Sequence, residues 1–395
     1  MNEKVTVGKE FELLKKRFSD ARECGYYSIR ERKLLRNSIM AVDYVKSFFE
    51  GTSHLPPLEE SASTSWGKTF NNLWRAFSYI EEAERLLDGA HLYYDIKKRG
   101  FFVEDKIISF LAFDGKVNIK CINSTKLVEE ARKIHDLSPV TTAALGRLLT
   151  MGSLMGSNLK EKNDKITLQI KADGPIDTMI AVASNDGNVK GYIKNPNIDI
   201  PLKSNGKLDV GGAVGKNGML YIIKDIGLKE PYVGLTPLVS GEIAEDFTEY
   251  FAKSEQVPTA IALGVLVDKD GVRSAGGYIV QLMPDATNED ITILEQNLRA
   301  MPPISKLLEE NKSLEDIAGM ITGDGMLFMV GEDLLPEYKC DCQKSRIKNG
   351  LISLGAKEIQ NIIDTDGKAE VVCKFCKKKY EFSKEDLEKI KEECK

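Results

Sequence analysis

The stretch SPVTTAALGRLLTMGSLMG, residues 138–156, predicts one long helix inside a region of strand-like sequence. Ser138 stands at the expected N-cap, and Pro139 takes the first helical position, where its missing N–H is no loss. Short β-like runs make up most of the remaining sequence between residues 104 and 284. This mixture predicts an α+β domain with a mostly antiparallel β core and crossing helices.

Three of the β-like runs contain an Asp-Gly pair, which is the strongest short signal for the turn of a β-hairpin. The runs are KIISFLAFDGKVNIKCIN (106–123), TMIAVASNDGNVKGYIK (178–194) and TAIALGVLVDKDGVRSAGGYIVQLM (259–283). Each run is long enough for two strands. The predicted turns lie at Asp114-Gly115, Asp186-Gly187 and Asp270-Gly271.

A helical period returns after this domain. The apolar residues Ile291, Leu294, Leu298 and Met301 form one stripe, and SLEDIAGMI (313–321) opens with Ser and Asp in capping-box positions. We therefore predict a helical linker over residues 285–336. It separates the α+β core domain, residues 103–284, from a small C-terminal domain, residues 337–395. In that domain we predict a last helix capped by Ser383 and a small core formed by Phe375, Tyr380 and Phe382.

The front of the chain, residues 1–102, shows three apolar stripes at helical spacing. These stripes predict an all-helical segment that forms a separate unit of unknown role. The stripes run through Phe11, Leu14, Phe18 and Ala21, then Leu35, Ile39, Val42, Val45 and Phe49, then Phe70, Leu73, Phe77, Ile80 and Leu87.

Composition excludes several classes of function. The 395 residues carry a net charge of −5, which makes nucleic acid an unlikely main partner. The first twenty residues contain no apolar stretch typical of a signal peptide, and no run of about 18 apolar residues predicts a membrane span. We expect a cytoplasmic protein, in which clustered cysteines bind metal or respond to oxidants.

Other candidate chemistry is weak, and we expect no enzymatic activity. The three histidines are isolated in sequence, and VGGAVGKNGML (210–220) lacks the spacing of a phosphate-binding loop. The acidic run SGEIAEDFTEYF (240–251) has a spacing typical of a solvated helix face. Its carboxylates are Glu242, Glu245, Asp246 and Glu249.

The C-terminal domain contains four cysteines in two close pairs, within EYKCDCQKS (337–345) and VVCKFCKKK (371–379). Four thiolates can complete the tetrahedral site that zinc prefers, without further ligands. The spacing predicts one zinc ion per chain, held by Cys340, Cys342, Cys373 and Cys376. A purely structural zinc ribbon and four free thiols remain the alternatives. The remaining cysteines, Cys24, Cys121 and Cys394, lie outside the pairs.

From about residue 104 to its end, the chain resembles the redox-regulated 33 kDa heat-shock protein family, which are ATP-independent chaperones also called 33 kDa chaperonins. The first 102 residues have no counterpart in this resemblance. The resemblance rests on the C-x-C and C-x-x-C pairs and on four further segments. These are LSPVTTAALGRLLTMGSLMG (137–156), IKADGPI (170–176), IKDIGLKEPYVGLTPLVSGEIAEDFTEYFAKSEQVPTAIALGV (223–265) and SAGGYIVQLMP (274–284).

The resemblance implies a holdase that is inactive when it is reduced and zinc-bound. It implies that Cys340, Cys342, Cys373 and Cys376 are both the zinc ligands and the redox switch. Oxidation by hypochlorous acid, or by peroxide with heat, would release zinc and unfold the C-terminal region with part of the linker. The exposed surface would then bind unfolding client proteins, and the oxidised chain would be a homodimer.

We predict that oxidation pairs Cys340 with Cys342 and Cys373 with Cys376. In an extended strand, residues two apart are separated by about 6.6 Å, which is near the upper limit of Cα separation for a disulfide. A Cys340–Cys342 bond would therefore require a tighter backbone than the extended one. The competing hypothesis is a constitutive zinc ribbon that binds nucleic acid or the ribosome, with a purely structural metal.

Overall fold

The computed structural model describes residues 104–323 and 327–394 of the chain. The chain divides into two units, Met1–Phe102 and Val103–Lys395, and every described residue belongs to the second unit. The helical segment predicted for residues 1–102 lies outside the described residues. Within the described ranges, no helix is long and apolar enough to cross a membrane.

The described residues form an α+β fold on antiparallel sheets, as predicted. Their strands are β1 (Lys106–Ala112), β2 (Val117–Asn123), β3 (Lys165–Ala172), β4 (Thr178–Ser184), β5 (Val189–Ile193), β6 (Gly218–Asp225), β7 (Tyr232–Pro237), β8 (Thr259–Asp268), β9 (Gly271–Leu282), β10 (Leu327–Met329), β11 (Ala369–Val372) and β12 (Lys379–Phe382). Sheet A has the order β10-β1-β2-β9-β8, and sheet B has the order β5-β4-β3-β6-β7. Strands β11 and β12 form a separate hairpin.

Helices follow the strands in three groups. They are α1 (Thr125–His135), α2 (Pro139–Gly156), α3 (Val210–Val214), α4 (Ala244–Tyr250), α5 (Asn288–Ala300), α6 (Ile304–Glu309), α7 (Leu314–Thr322), α8 (Lys344–Ile352), α9 (Ala356–Thr365) and α10 (Lys384–Glu393). A π-helical turn, Phe251–Glu255, continues α4. Helices α1–α4 belong to the core domain, α5–α7 to the linker and α8–α10 to the C-terminal domain.

Helix α2 is the centre of the core domain. Ser138 is its N-cap residue and Pro139 its first residue, as the sequence predicts, although the Ser138 hydroxyl donates to Ile198 O at 2.8 Å and does not cap the helix. Every residue of α2 except Pro139 and Arg147 is buried. The helix contacts β2, β8 and β9 of sheet A and β3, β4 and β5 of sheet B, so it lies between the two sheets.

The three predicted hairpins are present. The turn between β1 and β2 contains Asp114 and Gly115, both with a positive φ, and Gly187 and Gly271 also have a positive φ in the other two turns. Glycine reaches this backbone region without steric penalty, which explains its place in each turn. The hairpins pair β1 with β2, β4 with β5 and β8 with β9.

The linker covers the outer face of sheet A. Residues from β1, β2 and β9 form an apolar surface there, and buried residues of α5–α7 pack on it in one cluster. The capping box of Ser313 and Asp316 is present at the start of α7. The end of the linker is not helical, because Leu327–Met329 forms strand β10 against β1. We call α5–α7 the cover. Its buried apolar residues are Leu294, Ile304, Leu307, Leu308, Leu314, Ile317, Ala318 and Ile321.

The acidic run 240–251 is not a solvated helix face, so that part of the sequence prediction is wrong. Asp246 is fully buried, and its carboxylate accepts N–H bonds from Val239, Ser240, Gly241 and Ile243. Glu242 bonds to the guanidinium of Arg147 at 2.7 Å and also to Lys203. Asp246 is buried because the loop before α4 needs an acceptor for its N–H groups, a need that periodicity does not register, whereas Glu242 and Glu249 are half-buried and Glu245 is exposed.

The C-terminal domain has an apolar core of its own. Helices α8–α10 pack against the β11–β12 hairpin, and Ser383 caps α10 through a capping box, as predicted. Tyr380 and Phe382 are buried in this core, as predicted, whereas Phe375, also predicted as a core residue, is only partly buried against it. The other buried members of the core are Leu351, Ile359, Ile363, Cys373, Leu387 and Ile390.

We predict that a chain beginning at Glu104 folds with an unchanged melting temperature for the core domain. The three apolar clusters described here consist of residues 107–390, and each buries its own members. Differential scanning calorimetry of the shortened and full chains checks this expectation. An insoluble shortened chain, or one that melts more than about 2–4 °C lower and has thus lost about 1 kcal/mol, would show that residues 1–103 are integral to the fold.

Candidate metal centre

Cys373 and Cys376 lie in the turn between β11 and β12. Cys373 N donates to Lys378 O at 2.9 Å, and Lys377 N donates to Cys373 O at 2.9 Å, so the backbone closes a tight turn. Lys377 has a positive φ of 59°, which this turn requires. The turn brings Cys373 and Cys376 into one cluster of thiols, as the C-x-x-C spacing predicts.

Cys340 and Cys342 lie in the segment that precedes α8. Residues 339–343 form neither helix nor strand, and Gln343, at the N-cap of α8, has extended backbone angles. Lys339 N donates to Val189 O of β5 at 2.9 Å, which attaches the segment to sheet B just before the first thiol. Both Cys340 and Cys342 are half-buried against the core of the C-terminal domain.

The structure brings all four predicted ligands together. The four Sγ atoms lie within 4.8 Å of one another, with 3.8 Å between Cys340 and Cys373 and 3.3 Å between Cys342 and Cys376. In a tetrahedral site with Zn–S bonds of about 2.3 Å, the sulfur atoms are separated by about 3.8 Å. The donor set and its spacing therefore fit zinc, and the cluster contains cysteine ligands alone.

Burial and hydrogen bonds act in opposite directions on the pKa values of Cys340, Cys342 and Cys376. Burial raises the pKa of Cys340 and of Cys376 above the usual value for cysteine. Burial also opposes ionisation of Cys342, but hydrogen bonds from Tyr380 and from the neighbouring thiols outweigh it and lower the Cys342 pKa to about 7. The Tyr380 hydroxyl lies 3.1 Å from Cys342 Sγ.

The residue between the first two cysteines contacts the core domain. The carboxylate of Asp341 forms ion pairs with Lys165 of β3 at 2.8 Å and with Lys190 of β5, and a third with Arg346 at 3.2 Å. Burial alone would raise the pKa of Asp341, but the two strand lysines hold it well below its usual range. The Cys-Asp-Cys segment thus joins the cluster of four cysteines to sheet B.

A residue between the other two cysteines contacts the same strand. The ring of Phe375 meets the ring of Tyr192 edge-on, with 5.3 Å between centroids, and lies 5.2 Å from Lys190 Nζ. Tyr338 Oη lies 2.5 Å from Phe375 O and 2.6 Å from Gly191 O, and its single proton can go to either acceptor. Both cysteine loops therefore lie against β5.

These docking residues were not predicted from the sequence. Tyr338, Asp341 and Phe375 stand beside or between cysteines, where spacing points only to the ligands. The partners of these residues are distant in the chain. Tyr338 lies 147 positions from Gly191, and Asp341 lies 151 positions from Lys190 and 176 from Lys165. Such long-range pairs leave no periodic signal, although a charged residue enclosed by two metal ligands is a position worth inspection.

In a comparison with known protein families, residues 105–383 match the family described as Hsp33 protein. A 33 kDa chaperonin of Clostridium beijerinckii is 47% identical over 286 residues, which cover 72% of this chain and 97% of the relative. One from Acetivibrio thermocellus is 49% identical over 286 residues, covering 72% of this chain and 96% of the relative.

Solved structures give the same result. The crystal structure of a 33 kDa chaperonin from Thermotoga maritima, a heat shock protein 33 homologue, matches with a TM-score of 0.69 and 42% identity. The match covers 73% of this chain and 98% of that chain. The matched family residues begin at residue 105, beyond the helical segment predicted for residues 1–102.

Proposed function

This chain belongs to the Hsp33 protein family, and on that premise we propose that it is a redox-regulated holdase. In the reduced state Cys340, Cys342, Cys373 and Cys376 would hold one zinc ion, and the chaperone would be inactive. Oxidation would convert the chain to a form that binds unfolding proteins and prevents their aggregation. The observation that carries the proposal is the convergence of four thiols where the C-terminal domain meets sheet B.

The chemistry requires only the cysteines and an oxidant. In each disulfide step two cysteine thiolates lose two electrons and form one sulfur–sulfur bond, while hydrogen peroxide takes up these electrons with two protons from water and yields two water molecules. When bound, zinc supplies four bonds that hold the two loops together. The predicted products are Cys340–Cys342 and Cys373–Cys376, and the oxidised sulfurs are no longer the thiolates that bind the ion.

The metal-binding loops also couple the cysteines to the core domain. Asp341 and Phe375 can occupy their places on β5 only while the loops that carry them keep their shape. A domain of under about 60 residues has little core to fold without its metal, so oxidation would remove these contacts. The C-terminal domain would then detach from sheet B.

The second surface that oxidation would expose is the outer face of sheet A. The cover hides Ile108, Phe110, Ile119 and Val280, all of them buried, beneath α5–α7. Such a contiguous apolar face is the kind of surface to which unfolding proteins bind. The linker connects it directly to the cysteine segment, so we propose that α5–α7 are a reversible cover.

The remaining parts of the proposal concern partners and setting. The partners would be unfolded or aggregation-prone client proteins, and the oxidised form would be a homodimer. The protein would act in the cytoplasm, where reduced thiols are the resting state, and it would have no enzymatic activity.

Zinc content and client protection, measured together, test the proposal. The reduced chain should contain one zinc and leave a heat-unfolded client to aggregate, as light scattering would show. The oxidised chain should have lost zinc and should suppress the aggregation. A constitutive zinc ribbon would keep its metal under mild oxidant and lose binding when metal is removed, and that outcome would replace this proposal.

We predict that Asp341→Asn lowers the oxidant concentration needed for half-maximal client protection. The amide keeps the size of the side chain but removes the charge that pairs with Lys165 and Lys190. Ion pairs of this partly exposed kind contribute about 1 kcal/mol or less, so the shift should be several-fold and not all-or-none. An oxidant titration with scattering as readout measures it.

The matched control is Asp366→Asn. Asp366 is an exposed carboxylate at the end of α9 that makes no ion pair with any residue in the described ranges. Both variants should keep one zinc when reduced, because neither residue is a ligand. Equal oxidant thresholds for the two variants would mean that the Asp341 contacts do not resist opening.

A further inference from the structure

The segment Leu327–Lys339, here called the edge segment, pairs with one edge of each large sheet, at β1 of sheet A and at β5 of sheet B. Strand β10 pairs with β1, Val330 N donates to Ser109 O at 2.9 Å, and Ile107 N donates to Leu334 O at 2.8 Å. Leu334 N returns a bond to Ile107 O at 3.1 Å. Without these pairs, β1 would be the outer strand of sheet A.

The same segment then crosses to sheet B. Val189 N donates to Glu337 O at 3.0 Å, and Lys339 N donates to Val189 O at 2.9 Å, so Tyr338 lies beside Val189 as a short parallel strand. Strand β5 is the outer strand of sheet B. One extended segment of this chain therefore satisfies the backbone groups at two sheet edges.

Backbone contacts hold much of this segment. Phe328, Met329 and Leu335 are 50%, 63% and 54% exposed, and Val330 is 44% exposed, although all four are large apolar residues. Leu327 and Leu334 are partly buried against the core clusters. An extended, apolar-rich segment with many exposed side chains has the chemistry of an unfolded client.

We propose that the edge segment occupies client sites, and that the freed edges of β1 and β5 bind extended client segments as added strands. The proposal rests on the proposed function, since release of the C-terminal region would free the edges. Strand addition draws affinity from main-chain hydrogen bonds, which every polypeptide can form. Such recognition suits a holdase whose clients share no sequence.

Covering these two edges would also limit pairing between copies of the resting protein. An unpaired strand edge is a template for pairing with other chains, and proteins normally cover or charge it. Here Lys106 at the start of β1 pairs with Asp333 of the edge segment at 2.5 Å, so release would also leave a charged residue at that edge. Edge pairing between two copies of the oxidised chain would be a competing outcome.

The test uses a fluorescent peptide of residues 327–339, LFMVGEDLLPEYK, and the full chain. Anisotropy should show binding to the oxidised chain and none to the reduced chain, whose edges are occupied. N-methylation at Val330 and Leu334 removes the two donors that bond to Ser109 O and Ile107 O. We expect it to weaken binding about tenfold or more, because two backbone hydrogen bonds are lost.

The control peptide carries N-methyl groups at Met329 and Asp333. Successive N–H groups of an extended strand point to opposite sides, so these two face away from β1. This peptide should bind within about twofold of the unmodified one. Equal weakening by both modifications would show recognition through side chains and would overturn the proposal.

Two further outcomes separate this proposal from the proposed function. If the oxidised chain suppresses aggregation but binds none of the peptides, clients bind elsewhere, and edge addition is wrong while the holdase function stands. If the peptides bind in the expected order but aggregation is not suppressed, the edge sites are real and the holdase function is wrong. The oxidised chain could instead associate with itself through these edges and so exclude the peptides. That result would assign the edges to a second copy and overturn the proposal.

Discussion

A Cys373→Ser, Cys376→Ser variant of the full chain is expected to contain no zinc and to lose the folded structure of residues 337–394. These two thiols provide half of the four-sulfur cluster, and serine hydroxyls are poor replacements for thiolate ligands. Binding of structural zinc contributes on the order of 10 kcal/mol in small metal domains, which exceeds the stability of most domains of this size. Metal analysis and limited proteolysis of the reduced protein measure both losses.

Cys394→Ser is the matched control for that variant. The Cys394 thiol lies in the same domain, and its Sγ donates to Ile390 O at 3.3 Å, but it is not part of the cluster. The control should keep one zinc and resist protease beyond residue 337. A double variant that retains zinc, or that loses zinc and stays protease-resistant, would contradict the assignment of the four ligands or the dependence of the fold on metal.

Local sequence signals predicted much of this fold. Ser138-Pro139 marked the start of α2, the three Asp-Gly pairs marked their hairpins, and the capping boxes at Ser313 and Ser383 marked α7 and α10. Each of these signals acts through residues within a few positions of one another, where backbone angles and N–H partners are decided locally. The cysteine spacing identified the cluster for the same reason.

Contacts between distant segments were not predictable in this way. Glu242 pairs with Arg147, which lies 95 positions away in the chain, and Asp341 finds its lysines only after β3 and β5 have formed. The edge segment was predicted as the end of a helical linker, whereas it pairs with β1 and β5. Backbone pairing at a sheet edge depends weakly on side chains, so composition and periodicity hold little information about it.

The contacts of the C-terminal region follow one order along the chain. The cover ends at α7, the edge segment closes β1 and then β5, and the cysteine loops place Asp341 and Phe375 on β5. Loss of the cysteine loops would therefore free β5 first, because the contacts nearest the thiols are made there. Opening of the cover would come last in this order, and it would expose the apolar outer face of sheet A.

Cys121 is expected to become reactive toward maleimide when the chain is oxidised by peroxide with heat. The thiol is fully buried on the outer face of sheet A, and α7 packs on β1 and β2 above it. Burial raises the pKa of Cys121 far above its usual value, so the covered thiol is also protonated. If the cover opens, the labelling rate should rise on the order of a thousandfold, which corresponds to about 4 kcal/mol of lost protection.

The measurement needs a chain in which other labelling is removed or accounted for. Cys24→Ser and Cys394→Ser leave Cys121 and the four cluster cysteines, which oxidation ties up in disulfides. As control, Cys121→Ser combined with Ser153→Cys moves the reporter thiol into α2, where Ser153 is fully buried between the sheets. That thiol should stay unlabelled, because the core domain does not open. Labelling of both positions would indicate global unfolding, and protection of Cys121 in a chain that already protects clients would show that clients bind without opening of the cover.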